Sequence, residues 1–130
     1  MNLPLELIEI KRELTVAEKI RDDKIRIKKL GELIEELDNL SGLYHDDSIN
    51  SWINNTIKTY LRLAIAPIAM KSALGINEDA EVAYVSLALI FEHHKYLVEA
   101  IKDDPDLKLG FISFVSNKLE QIKQQLEGIV

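Results

Sequence analysis

Two of the chain's three histidines stand side by side in FEHHKYL, residues 91 to 97, directly after an acid, Glu92. Imidazole next to carboxylate is the raw material of a metal site or of general acid–base chemistry. Spacing argues against the metal. Ligands on one helix face come three or four residues apart, as in H-E-x-x-H or E-x-x-H, whereas adjacent residues diverge by about 100°. The residues three positions before His93 and His94 are Ile90 and Phe91, not acids. On a helical wheel His94 joins Ala83, Leu87, Ile90, Leu97 and Ile101, with Glu81, Glu92 and Glu99 opposite. The pattern predicts a buried, hydrogen-bonded His94 with His93 at the edge of its face, and no metal.

The other candidates read in the same way. His45 lies in LYHDDS beside Asp46 and Asp47, a pairing that would suit an oriented general base. The same residues are those expected in a helix-capping loop, and no nucleophile is marked nearby. Glu32, Glu35, Glu36 and Asp38 share a segment with Lys28 and Lys29 and read as surface charge in three- and four-spaced pairs. No P-loop, dinucleotide glycine fingerprint or nucleophile elbow occurs. These observations predict a non-enzyme with no cofactor.

The elements that would position these residues are all helices. Five glycines and three prolines punctuate 130 residues that are 47% hydrophobic, a content too high for general disorder. The length suits a single domain spanning 1–130. No stretch alternates long enough to demand a strand. The periodicity predicts helices over about 4–14, 16–40, 48–74, 78–103 and 106–127. That is an antiparallel bundle of four long helices plus a short N-terminal one. Thr15-Val16-Ala17-Glu18 reads as a capping box opening the second helix, whose stripe is Val16, Ile20, Ile27, Leu30, Ile34 and Leu37. Pro67 predicts a kink or break, and Gly110 suggests that the last helix begins after it. The helix over 78–103 is apolar over most of its circumference, which predicts that it is central.

Two features exceed what four helices need. Val82, Val85, Leu89 and Tyr96 lie off the Ile90 face, and Phe111 and Phe114 sit beside the last helix's repeat of Ile112, Val115, Leu119, Ile122, Leu126 and Ile129. Those six, Val82 to Phe114, are the predicted anchors for a protein partner or a second copy.

Charge bounds the remaining classes. The net charge is −6, and residues 77–104 hold seven acids against two lysines, a local −5. An acidic total weakens the case for a nucleic-acid binder. The exception is RDDKIRIKK, 21 to 29, whose Arg21, Lys24, Arg26, Lys28 and Lys29 form the candidate basic face of the alternative reading. A metal or small-ligand bundle is a third class. Cysteine is absent, the first fourteen residues lack a signal peptide's apolar core, and VAYVSLALIF is about half a membrane span. A cytoplasmic protein without membrane contact is expected, with an isoleucine-, lysine- and glutamate-rich composition of thermophile type.

TIKTYLRLA (56–64), followed after a short break by NEDAEVAYVSLALIFEHH (77–94), resembles the helical A-domain of GINS subunits, replication factors that bridge the replicative helicase and its partners. The resemblance implies an all-helical subunit of a DNA replication complex, with Lys58 and Arg62 at the family's basic positions, offset from its pattern, and Tyr84 as its tyrosine. Leu3-Pro4 is similar to the family's start. The departures are the absence of the family's small β-rich B-domain and a helical 105–130 in its stead.

Overall fold

The computed structural model describes residues 2–129, and among them it contains six helices and no strand. They are α1 (Leu5–Ala17), α2 (Asp23–Leu40), α3 (Asp47–Ala73), α4 (Ala80–Glu92), α5 (His94–Ile101) and α6 (Pro105–Ile129). Aspartates open most of them. Asp22 accepts from the Ile25 N–H, Asp46 from Ser48, Asp79 from Val82 and Asp104 from Leu107, each satisfying a first-turn donor that the helix itself cannot. The α3 end closes on Gly75 at φ +75. Ile76 donates to Lys71 O and Gly75 to Ser72 O, the paired bonds of a Schellman cap.

The start of the second helix differs from the sequence expectation. Thr15 lies inside α1, with its hydroxyl donating back to Lys11 O at 3.0 Å, and Val16 is exposed. The chain leaves helix at 18–22, and α2 begins where Asp22 can cap it. A capping box needs its Thr outside the helix, and here α1 continues through it because Leu14 and Ala17 are buried. The buried stripe of α2 is thus Ile27, Leu30, Leu33, Ile34 and Leu37.

The core is organised around α3, not the 78–103 segment. α3 packs against α2, α5 and α6, while α4 lies on α2 and α1 covers α2. Nine α3 residues from Ile49 to Ser72 are buried, so this helix, whose apolar residues recur every three or four positions, takes the central place. Pro67 does not interrupt it. Both Pro67 and Leu63 face solvent, so the carbonyl deprived of its helical donor lies on the wet side of the helix, where water can replace it.

Contacts fix the helix directions. Asp23 meets Lys71 and Ser41 meets Asn54, so α2 and α3 run antiparallel. Arg62 meets Asp104, Ala69 abuts Gly110, and Ser72 meets Ser113, so α3 and α6 run in the same direction. Lys24 meets Glu81 and Asp38 meets Tyr96, so α2 and the α4–α5 segment do too. An all-antiparallel bundle is therefore replaced by a mixed one. α6 begins at Pro105 and runs through Gly110. A Cβ at Gly110 would lie 2.6 Å from the Ala69 carbonyl oxygen. The glycine is there for the close approach of α3, and its helix-propensity cost of about 1 kcal/mol is borne for that contact.

Candidate functional site

The expected helix over 78–103 is broken at His93, which serves as C-cap of α4 and N-cap of α5 with φ −126 and ψ 28. The break forfeits little hydrogen bonding. His93 N–H still reaches Leu89 O, and its carbonyl accepts from Tyr96 and Leu97. The change of direction lets α4 lie on α2 while α5 lies on α3. It also reverses the expected roles of the two histidines. His93 is buried at 5% exposure, while His94 is exposed and donates from Nδ1 to Phe91 O at 3.1 Å. A continuous helical wheel could not show this, because it carries the Ile90 face straight on to His94.

Around His93 the structure gathers three polar groups. Tyr96 donates its hydroxyl to Asp38 Oδ1 at 2.8 Å. The other carboxylate oxygen, Oδ2, lies 4.0 Å from His93 Nδ1, and Glu92 Oε2 lies 3.9 Å from Nε2. Both separations exceed a hydrogen bond, so the ring nitrogens are buried without a partner. Burial, reinforced by the bond to Asp38, pushes the Tyr96 hydroxyl pKa up from its ordinary value. The carboxylate supplies a fixed acceptor, but no group of three metal-type ligands exists among the described residues, and the ring is enclosed by the helix junction. His45 is exposed in the loop before α3, and Asp46 beside it is committed to capping.

The predicted partner anchors are placed inside the chain. Val82, Leu89, Phe111 and Phe114 are buried, and Val85 and Tyr96 are half-buried against the same core. None presents a full face to a partner in this conformation. The outward aromatics of α4 are instead Tyr84 and Phe91, 74% and 56% exposed.

Nor do the basic candidates form one open face. Lys24 pairs with Glu81 at 2.6 Å, Arg26 with Asp23 at 2.6 Å, and Arg62 with Asp104 at 2.5 Å. Arg26 also donates to Ile20 O, closing the α1–α2 connection. Lys58 and Lys29 are half-buried, which leaves Arg21 and Lys28 exposed.

The three-four repeat of α6 is largely open surface. Leu107, Gly110, Phe111, Phe114 and Lys118 form the buried side of α6, whereas Ile112, Leu119, Ile122, Leu126 and Ile129 are exposed, the last two at 60% and 80%. Every residue from 119 to 129 is exposed, so the last three turns bury no face against the rest of the chain. The three-four repeat was legible. Its side was not, because the phenylalanines offered a second apolar face to the same helix. Where this stripe leaves the body, Lys118 forms an ion pair with Glu78 at 2.8 Å, with side chains 9% and 3% exposed. Glu78 Oε1 has no hydrogen-bond partner, while Lys118 Nζ donates to Gln121 Oε1 at 3.4 Å, so the attraction between the pair is one of charge at short range. A cleft of about 500 Å³ opens beside the pair between α4 and α6, lined by Tyr84, Leu87, Gln121 and Ile122 among others.

Comparison with protein-family models, with curated proteins and with solved structures found no match for this chain.

Proposed function

We propose that this chain is a non-catalytic helical scaffold or adaptor subunit that works by laying the outer stripe of α6 against another helix. The observation that carries the reading is the run of Ile112, Leu119, Ile122, Leu126 and Ile129, exposed along one side of a single helix, whereas most other exposed apolar residues are scattered over α1 to α5 and their connections. A contiguous apolar surface of that length has a hydration cost that a docked helix removes, and its three-four spacing is the one helices use to interlock. The likeness of residues 56–64 and 77–94 to the GINS A-domain supports a replication complex as the setting, where bridging by helix contacts is the task. Direct nucleic-acid contact has less support, since Lys24, Arg26 and Arg62 are engaged by carboxylates.

The test is a paired capture. Tagged chain and a tagged Ile122→Glu/Leu126→Glu variant are used as bait in nuclease-treated lysate that also contains an untagged copy. Under the proposal, protein retained by the first, whether other proteins or the untagged chain, is lost by the second. Equal retention by both baits would sink it.

A further inference from the structure

The cleft between α4 and α6 reaches two charged side chains whose bonding capacity is unspent. Glu78 and Lys118 both line it, with side chains 3% and 9% exposed. Glu78 Oε1 is buried without a hydrogen-bond partner, although buried polar atoms in folded chains are nearly always bonded. The Lys118 ammonium stands 2.8 Å from that oxygen. Its hydrogen bond to Gln121 Oε1 is 3.4 Å long, well beyond the usual length for a charged donor. One group thus wants a donor and the other a better acceptor. The walls around them are of another kind. Ala83 and Leu87 of α4 and Ile122 of α6 are apolar, and Tyr84 adds a largely exposed ring. The other polar groups of the lining are uncharged amides.

A contact pair of opposite charges discriminates by charge type. An anion drawn to Lys118 meets the Glu78 carboxylate beside it, and a cation drawn to Glu78 meets the ammonium. A zwitterion escapes both conflicts. Its ammonium lies against Glu78 and its carboxylate against Lys118, so that charges alternate in sign around the group. Such contacts are weakly screened where the side chains are nearly dry. The ligand's N–H groups give Glu78 Oε1 a donor, and its carboxylate replaces the Gln121 amide as a charge-assisted acceptor for Lys118. The apolar walls then set what the charges are attached to. We infer that the α4–α6 cleft binds a small zwitterion with an apolar body, of the class of an α-amino acid with an aromatic or aliphatic side chain. In that class a single carbon joins the two charged groups, which suits a receiving pair 2.8 Å apart. The side chain rests on Ala83, Leu87 and Ile122. This site goes beyond the adaptor reading and does not rest on it, since the cleft shares only Ile122 with the outer stripe of α6.

The full chain, isotope-labelled, is titrated with three probes that share one ring, and amide NMR shifts report binding and its place. L-phenylalanine carries both charges, phenethylamine only the ammonium and hydrocinnamate only the carboxylate. L-phenylalanine is expected to shift the amides around Glu78 and Lys118 and to bind about tenfold or more tightly than either single-charge probe. Glu78→Leu/Lys118→Met removes both charges together, and with them the preference for the zwitterion. Ala80→Trp changes an exposed residue of the lining. It is expected to weaken L-phenylalanine by about tenfold with an unchanged thermal transition, so the test survives a double variant that does not fold. Single-charge probes that bind as well as the zwitterion would overturn the inference. So would shifts confined to residues away from the cleft, or an affinity that neither variant lowers. No response to L-phenylalanine or L-leucine up to about 20 mM would overturn it as well, leaving water as the partner of the pair.

Discussion

At the residue scale the most informative position is Gly110. Its neighbour in space is backbone, the Ala69 carbonyl oxygen at 2.6 Å from where a Cβ would stand, and hydrogen-bonded backbone within α3 cannot step aside. Gly110→Ala gains about 1 kcal/mol of helix propensity and incurs roughly 1–3 kcal/mol of overpacking. The outcome expected is a lower urea midpoint with an unchanged slope. Gly128→Ala is the control, since nothing lies within 4 Å of that site and only the gain remains. Tyr44 supplies a second test at this scale. Burial first, and then its hydrogen bond to Glu6, push its hydroxyl up to about 12 from 10.0. A raised folded pKa means that the folded state holds the proton more tightly than the unfolded one. The associated stability is therefore whole below pH 10 and is lost as pH rises towards about 12. Urea midpoints taken across that window should fall for the parent chain and fall less for Tyr44→Phe. A residual slope is expected from Tyr96, whose pKa is raised for similar reasons.

Elements carry a different kind of information, because an element's limits depend on what it packs against. The aspartate caps and the glycine at the end of α3 act through bonds to residues two to five positions away, so local sequence suffices to find them. The all-helical class was legible for the same reason. The break at His93 was not, since no proline or glycine marks it. It exists because α4 and α5 must reach different neighbours, and that demand comes from α2 and α3. The two histidines changed places on its account. The burial of Phe111 and Phe114 over the Ile112 stripe was likewise undecidable from α6 alone, where both faces are apolar. The Glu78–Lys118 pair shows how α6 is held once that choice is made. It joins the α3–α4 connection to the last helix where both side chains are nearly dry. Glu78→Gln strands a buried ammonium, and a loss of about 3–5 kcal/mol is expected. In a double-mutant cycle, Glu78→Leu with Lys118→Met should recover most of that loss, because neither charge then remains to be solvated. Equal losses for the single and double variants would show that packing, not charge, governs the joint.

For the whole molecule, the division of α6 into a half that carries buried residues and a half that is exposed throughout separates folding from assembly. Every residue of the core lies at or before Phe114 in sequence, and the buried Lys118 comes only four residues later. Among the described residues beyond Lys118 none is buried, and isolated helical turns are marginal in water. The turns from Leu119 onward therefore owe their order to continuity with the anchored half of α6. A chain ending at Glu120 should keep the thermal transition of the parent measured in dilute solution, because it loses exposed surface and no core contact. Where the helix that docks on α6 is a second copy, the transition of the parent rises with concentration as association favours the folded state by mass action, and that of the shortened chain does not. The two melting series, taken over about a hundredfold range of concentration, discriminate between the alternatives. A shortened chain that melts well below the dilute parent would mean that the tail helps to hold the fold. Parallel concentration dependence in both chains would move the association surface away from α6.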